Sequence, residues 1–220
     1  LDADEEIPES LSKRLQEIAG RMGKINFIEI PRKNIIFGKW MKASMWWPDY
    51  NTRFFRKGAV KWKTQIHTKP ESSGTGIKLD SEEKYAIVHQ NYESVTQYIE
   101  RMNRYTGIQA RELVNDGIKF SWKDLIEKPL SEFLSRFFAS KGYEDGVHGL
   151  ALSLLQAFSS IVVYIKLWEI DKFKEQQIKL EEIINLEKAS GIEINYWFEK
   201  SNLSKNPFKR FIQKIENKVR

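Results

Sequence analysis

The stretch LDADEEIPESL, residues 1–11, contains a strand-like end, two closely spaced aspartates and the start of a helical pattern. Asp2 and Asp4 flank a single alanine behind Leu1, and Pro8 then opens a segment with apolar residues at helical spacing. We interpret Leu1 as the end of a buried strand and expect the beginning of that strand to precede this chain, which has no initiator methionine. Two neighbouring carboxylates suit Mg²⁺ or Mn²⁺, which can hold a diphosphate. The simpler alternative is a helix N-cap with favourable acids in the first turn.

The composition indicates a folded protein with an anionic partner. Hydrophobic residues make up 41% and aromatic residues 13% of 220 residues, and the chain contains no cysteine. Disulfides and cysteine metal sites are therefore excluded. The net charge of +6 suggests a phosphate, nucleic-acid or membrane-surface partner. Residues 31–66 hold nine Lys/Arg and one acid, Asp49, and residues 204–220 hold six Lys/Arg and one acid, Glu216.

The first half of the chain alternates helical and strand patterns. We predict a helix over 8–22, two strands interrupted by Pro31 within 25–38, a hairpin over 46–62 that turns at Lys57-Gly58, a loop over 67–76, a strand over 84–89 and a helix over 93–114. On the last helix, Tyr98, Met102 and Tyr105 share one face and are expected to pack in the core.

The second half is helical and partly apolar. We predict an amphipathic helix over 129–141 begun by Pro129, a charged helix from 169 to about 190 and a basic amphipathic tail. Between them, Gly149 to Ile165 are seventeen residues without a charge. This run is at the lower limit for a membrane span and contains three serines and a glutamine. We favour association with a membrane surface, with a soluble helical hairpin and a marginal span as the alternatives.

Five stretches occur here in a characteristic order: LDADEEIPESL, FGKWMKASMWWPDYNTRFFRKG, IHTKP, ESVTQYIERMNRYTGIQA and KPLSEFLSRFFASKGYEDGVHGLALSLLQAFSSIVVYIKLWE. This series resembles the bacterial family-2 glycosyltransferases, notably the branch with lipopolysaccharide-core glucosyltransferases, over residues 1–170. The resemblance implies an α/β fold, the C-terminal part of a Rossmann-like glycosyltransferase A domain from the Asp-x-Asp motif onward, without its nucleotide-binding half. The implied parts are a partial catalytic domain (1–122), membrane-surface amphipathic and apolar helices (123–170), and a charged helix with a basic tail (171–220).

The resemblance also implies roles for individual residues. Asp4 would be the principal ligand of Mg²⁺ or Mn²⁺, with Asp2 helping through the ribose or a metal-bound water and His67 as a further ligand. Asp49 would act as the base that takes the acceptor's proton. The plain alternative for Asp49 is a turn in which it pairs with Arg53.

Four more residues complete the predicted site. Arg53 and Arg56 could hold the diphosphate, because guanidinium groups pair well with phosphate oxygens, or could form an exposed cationic strand face. Trp46 and Trp47 could form a wall for the sugar or the acceptor, or could be core residues. The other two histidines, His89 and His148, are expected to be structural.

These features lead to one expected function and two alternatives. The expected function is inverting transfer of a sugar from a nucleotide-sugar donor to a lipid-linked or glycan acceptor of the lipopolysaccharide type, by a peripheral protein at the cytoplasmic face of the inner or plasma membrane. A degenerate, non-catalytic membrane-surface scaffold is the second reading. A nucleic-acid-binding module is the third, based on the aromatic residues interleaved with Lys/Arg over 31–66. It leaves the two aspartates and the apolar run unexplained, so nucleic acid is not an expected partner.

Overall fold

The computed structural model describes residues 1–21, 23–62 and 70–202. The chain divides into two compact units, residues 1–98 and 99–220. Strands and helices mix in the first unit and helices make up the described part of the second, so the predicted α/β class is confirmed. The predicted three-part division at residues 122 and 170 stays a prediction about function.

The first unit is built on a mixed sheet around one long strand. Its strands are β1 (Glu5–Glu6), β2 (Ile25–Ile36), β3 (Lys39–Trp40), β4 (Asp49–Phe55), β7 (Thr75–Lys78) and β8 (Ile87–Tyr92), and a separate two-stranded sheet pairs β5 (Val60–Lys61) with β6 (Glu71–Ser72). β2 pairs antiparallel with β3 and β4, and parallel with β7 and β8. β1 adds to the outer side of β8.

Pro31 does not interrupt β2, and the prediction of two separate strands is wrong. The parallel partner of β2 is β7 up to Glu29 and β8 from Arg32 onward. Pro31 lies where the partner on that side changes, so the missing N–H leaves this part of the ladder intact. A single strand of 12 residues therefore carries side chains both to the core and to the site described below.

Helix α1 (Glu9–Gly20) confirms the amphipathic pattern of the opening segment. Leu11 and Leu15 are buried against Ile28 and Ile30 of β2 and Ile87 of β8. This hydrophobic cluster holds one face of the sheet against the helix, because burying each aliphatic side chain stabilises the fold by about 1.5–3 kcal/mol.

The predicted hairpin over 46–62 is wrong, although its turn is correct. The chain turns at Lys57-Gly58, where Gly58 has a φ of +85° and the Ala59 N–H bonds the carbonyl of Arg56. The strands on either side take different partners, since β4 pairs with β2 and β5 pairs with β6.

Two neighbouring predictions shift. The strand predicted over 84–89 begins three residues later, behind a short 3₁₀ turn at Glu83–Tyr85. The predicted loop lies partly outside the described residues, and its described part forms β6 and the start of β7.

The helices are α2 (Val95–Asn115), α3 (Asp124–Leu134), α4 (Val147–Ile170) and α5 (Leu180–Asn202). α2 forms as predicted, with Tyr98 and Met102 buried, whereas Tyr105, also expected in the core, is half-buried. α3 begins five residues before Pro129, with Asp124 and Glu127 in its first turn, and Pro129 lies inside it at the cost of one backbone hydrogen bond. A π-helical turn, Ser135–Ala139, continues α3.

The apolar run and the charged segment do not divide as predicted. α4 continues to Ile170, and a break follows where Lys172 and Phe173 have left-handed φ values of 58° and 53°, so the charged helix α5 begins only at Leu180. At the start of α4, a Cβ on Gly149 would lie 1.8 Å from the carbonyl oxygen of Gly142, and only glycine fits this approach. Among the described residues, α4 is the one helix long and apolar enough to cross a membrane, judged by length and composition. The basic tail from residue 204 lies outside the described residues.

Candidate active site

The two aspartates lie at the edge of the sheet, in the turn that leads into β1. The backbone N–H of Glu5 bonds the carbonyl of Asp2 at 3.1 Å, and the N–H of Gln90 on β8 bonds the carbonyl of Asp4 at 3.0 Å. The first of these bonds closes the turn, and the second fixes it against β8. Because Glu5 stands opposite His89 in the β1–β8 register, the Asp-x-Asp turn is held beside that histidine.

Glu5 is a buried carboxylate between two arginines. Its side chain is 0% exposed. Arg53 donates from Nε to Oε2 and from Nη2 to Oε1, both at 2.9 Å, and Arg32 donates from Nη1 at 3.3 Å. Arg53 Nη2 also donates to Asp2. Arg53 therefore connects the first aspartate of the motif to the buried carboxylate.

The charges around Glu5 determine its ionisation. Burial taken by itself raises the pKa of Glu5, but hydrogen bonds from Arg53 and from the backbone of Asp2, with the charges of Arg53 and Arg32, hold that pKa below its usual value. The pKa of Arg53 is raised although burial opposes it, because Glu5 and Asp2 stabilise its charge. The pair is ionised in the folded state.

Asp49 is held by three side chains on its own and the neighbouring strand. Its Oδ2 accepts from Arg32 Nε at 2.8 Å, from Arg32 Nη2 at 2.7 Å and from Asn34 Nδ2 at 3.1 Å. Its Oδ1 accepts from Asn51 Nδ2 at 3.2 Å. The ionic partner of Asp49 is thus Arg32, directly opposite it on β2, and not Arg53 as the turn alternative proposed.

Asn34 joins Asp49 to His89 and fixes the tautomer of that histidine. Asn34 is fully buried, and its amide nitrogen donates to the carboxylate of Asp49 and to the carbonyl of Trp46, at 3.1 and 3.0 Å. Both partners can only accept, so the amide has one possible orientation and its Oδ1 faces His89 Nδ1 at 2.7 Å. The Nδ1 atom must therefore carry the proton.

The other ring nitrogen of His89 faces the second aspartate of the motif, with Nε2 3.4 Å from Asp4 Oδ2. Burial, followed by the charge of Arg32, lowers the pKa of His89, and the carboxylates of Asp4 and Glu5 oppose this only in part. In the neutral ring with a protonated Nδ1, Nε2 presents a lone pair to a carboxylate oxygen. Two electron-pair donors that face each other at this distance fit a shared cation.

His89 and Asp4 could supply two ligands to a divalent ion that takes its remaining ligands from elsewhere. Among residues 1–21, 23–62 and 70–202 no group of three or more His, Asp or Glu side chains could hold a metal. Mg²⁺ in nucleotide enzymes is commonly bound through one or two protein groups together with substrate phosphates. The Nδ1–H···O bond from His89 to Asn34 is the kind of outer contact that orients a metal-binding histidine.

The structure places four of the eight predicted site residues in one network. Asp2, Asp4, Asp49 and Arg53 are linked through Glu5, Arg32, Asn34 and His89. Arg56 lies apart and donates to the carbonyls of Ile25 and Gly23, at 2.9 and 3.0 Å. Trp47 packs edge-on against Trp40, with ring centroids 5.2 Å apart, and Trp46 contributes its carbonyl to Asn34. His67 lies outside the described residues.

The four linking residues were missed in the sequence, whose pattern gives only a weak signal for them. Positions 32 and 34 on β2, 49, 51 and 53 on β4, and 89 and 91 on β8 are polar, but so are Lys33, Thr52 and Gln90 between them. Alternate residues of a strand point to the same face of a sheet. Once β2 is paired with β4 and β8, the residues at these positions share one face of the sheet, and His89 belongs to it.

Comparisons with known proteins give distant relatives. An uncharacterized glycosyltransferase of Rickettsia typhi is 25% identical over 223 residues, which covers 97% of this chain and 73% of the relative. Uncharacterized glycosyltransferases of Rickettsia conorii and Rickettsia bellii are 23% and 24% identical, cover 84% and 77% of this chain, and are themselves covered over 66% and 60% of their lengths. No protein-family model and no solved structure matches the chain. The similarity connects the chain to proteins named glycosyltransferases, without specifying family 2 or the lipopolysaccharide branch.

Proposed function

We propose that this chain carries the metal-binding and acceptor-activating part of an inverting glycosyltransferase of family 2. The donor would be a nucleotide sugar, and the acceptor a lipid-linked or lipopolysaccharide-type glycan at the cytoplasmic face of the membrane. The observation that supports this most directly is the 3.4 Å distance between His89 Nε2 and Asp4 Oδ2, within the hydrogen-bond network that also holds Asp49. The Rickettsia relatives support the transferase class.

The proposed cation site consists of Asp4 and His89, with Asp2 beside it. Mg²⁺ or Mn²⁺ there would neutralise the charge that develops on the departing nucleoside diphosphate. Asn34 keeps His89 in the Nδ1-protonated form, so that Nε2 remains available. Arg53 carries a positive charge beside Asp2, and this is the group through which the chain would contact phosphate oxygens.

Asp49 is the proposed base. As the acceptor oxygen bonds to the anomeric carbon and the bond from that carbon to the diphosphate oxygen breaks, the acceptor's hydroxyl proton passes to Asp49. We assign the proton to Oδ1, because Oδ2 already accepts from Arg32 and Asn34. These bonds hold the carboxylate in one orientation, with Oδ1 as the oxygen that retains acceptor capacity.

The test uses the longest natural form of the protein that contains this chain. Release of nucleoside diphosphate from a panel of UDP-, GDP- and dTDP-sugars is measured with Mn²⁺ and with chelator, for the wild type, Asp4→Ala, His89→Ala and Asp49→Asn. Asp80→Ala removes an exposed carboxylate outside the network and is the matched control. We expect metal-dependent turnover of one donor, lost in the three site variants and kept in the control.

Two results would contradict the proposal in different ways. Full activity of Asp4→Ala and His89→Ala would remove the metal assignment. The absence of turnover and of nucleotide binding in the wild type would instead favour a non-catalytic, membrane-associated relative of the enzymes.

A further inference from the structure

Helix α4 presents a continuous apolar face away from the rest of its unit. The side chains on this face are between 39% and 81% exposed, and they recur at intervals of three, four or seven residues: Val147, Leu150, Leu154, Phe158 and Ile165. Positions with this spacing lie on one side of a helix. We call this face the α4 stripe, and from Val147 to Ile165 it extends about 27 Å. Ala151, Ile161 and Val162 fall in the same sector, which is therefore apolar throughout.

The opposite side of α4 is turned inward and combines the buried apolar residues Leu152, Val163 and Leu167 with polar ones. Gln156, Ser159, Ser160 and Tyr164 line a groove of about 410 Å³, whose lining also includes Glu112 of α2, Asp116 directly after that helix, Glu132 of α3 and Arg136 of the following turn. Ser153 is buried and donates to the carbonyl of Gly149 at 2.7 Å. A helix at the surface of a water-soluble domain normally turns its polar side outward. α4 instead exposes an apolar face and turns a mixed apolar and polar face inward.

A basic groove borders the C-terminal half of the stripe. It has a volume of about 540 Å³, and the charged residues in its lining are Arg104, Arg111, Lys166 and Glu169. Lys166 Nζ donates to the carbonyl and the side-chain oxygen of Asn103, at 2.5 and 2.7 Å, and to Thr106 Oγ1 at 2.9 Å. All of these acceptors are neutral. The groove therefore combines three positive charges and one negative charge next to an apolar surface.

We propose that the α4 stripe inserts into one leaflet of an anionic phospholipid bilayer, with the helix parallel to the membrane plane and lipid phosphates in the Arg104–Arg111 groove. The apolar side chains match the acyl region, and the excess of positive charge at their border matches anionic headgroups. A second copy of this chain docked on the stripe would bring a second basic groove, and would not supply the negative charge that the first groove requires. This inference rests on the helical unit and does not depend on the proposed chemistry.

The charged residues of the groove behind α4 argue against a spanning orientation. If α4 crossed the bilayer, the four charged groups packed behind it (Glu112, Asp116, Glu132 and Arg136) would enter the hydrocarbon with it. In the parallel orientation these groups stay on the protein side. Of the three possibilities left open by the sequence, the structure therefore favours the helix that lies on the membrane.

The first test is flotation of the 220-residue chain with phosphatidylcholine vesicles, with and without phosphatidylglycerol. The variant Leu154→Asp/Phe158→Asp places two charges on the stripe, and Ile118→Asp makes the same change at an exposed apolar residue outside it. We expect at least about a 10-fold loss of vesicle partitioning for the stripe variant, because each charge replaces an inserted apolar group. The control should partition like the wild type. Replacing Arg104 and Arg111 with glutamine should reduce the preference for phosphatidylglycerol.

A second measurement covers the case in which the double variant fails to fold. The chain contains no cysteine, so Leu154→Cys and Ile118→Cys can each be labelled with an environment-sensitive fluorophore. The emission at 154 should shift to the blue when vesicles are added, and that at 118 should not. Equal shifts at both sites, or equal partitioning of the stripe and control variants, would overturn the proposal. A concentration-dependent dimer that the stripe variant abolishes would also overturn it. If vesicle-bound protein resists extraction by alkaline carbonate, the parallel orientation of α4 is wrong.

Discussion

Glu5→Gln is the most direct test of how the site is held together. The change keeps the shape of the side chain and removes the charge that faces Arg53 and Arg32. Glutamine still offers one acceptor oxygen, but its amide nitrogen must then face a guanidinium group. The variant therefore leaves two arginines, with side chains 13% and 19% exposed, without their shared counter-ion.

The expected loss of stability follows from this geometry. Removing one partner of a buried ion pair costs about 3–5 kcal/mol. Here Arg53 keeps its contact with Asp2, and Arg32 keeps its two bonds to Asp49, so the loss should fall at or below the lower limit of that range. We expect Glu5→Gln to lower the free energy of unfolding of the first unit by about 2–3 kcal/mol.

The assay must report on the first unit alone. Pulsed hydrogen–deuterium exchange across a urea series, read on peptides from β2 and β4, meets this need. Glu29→Gln is the matched control on β2, since Glu29 pairs with Lys78 at 3.6 Å and the lysine side chain is 63% exposed. We expect the control to lose less than about 0.5 kcal/mol.

The pH dependence gives the same experiment a second readout. Because the pKa of Glu5 is lower in the folded than in the unfolded state, its contribution is complete above the unfolded value of 4.5 and is lost as the pH falls through the folded value. The wild type should lose stability over that acid range, and Glu5→Gln should lose less. A difference below about 1 kcal/mol between Glu5→Gln and the wild type at neutral pH would refute the view that this carboxylate organises the site.

Three further outcomes can be checked separately. In chelator, ¹⁵N NMR of His89 should show the Nδ1-protonated neutral tautomer, and an Nε2-protonated ring would contradict the assigned amide orientation of Asn34. Gly149→Ala should lower the stability of the helical unit by about 1–3 kcal/mol, because the Cβ would overlap a backbone carbonyl, and an unchanged thermal midpoint would show that this approach is not tight. Lys166→Met should cost about 1–2 kcal/mol by denaturant unfolding, since it removes the donor shared by three acceptors on α2, and wild-type stability would show that water replaces it.

The local patterns of the sequence predicted the helices better than the strands. α1 and α2 follow from apolar residues at helical spacing, which depends on near neighbours only. β4 was assigned to a hairpin because β5 follows it, whereas it pairs with β2 some twenty residues earlier. That choice depends on the burial of the whole sheet and is not encoded in the turn at Lys57-Gly58.

The sequence predicted the aspartates of the candidate site but not the residues that connect them. Asp2, Asp4 and Asp49 are visible as a motif and as the one acid in a basic stretch. Glu5 looks in the sequence like another solvated acid ahead of a helix, and its complete burial becomes apparent only when Arg32 and Arg53 arrive from two other strands. His89 was considered structural because an isolated histidine usually is, and the register of β1 with β8 brings it to Asp4.

The hydrogen bonds of Asn34 restrict which residues can replace it during evolution. It gives both amide hydrogens to groups that can only accept, and it receives the His89 proton on its oxygen. Aspartate would supply no hydrogens, leucine would supply neither function, and glutamine would displace the amide by a methylene group. In a saturation library selected for activity, position 34 should therefore tolerate no alternative, although Asn34 is fully buried.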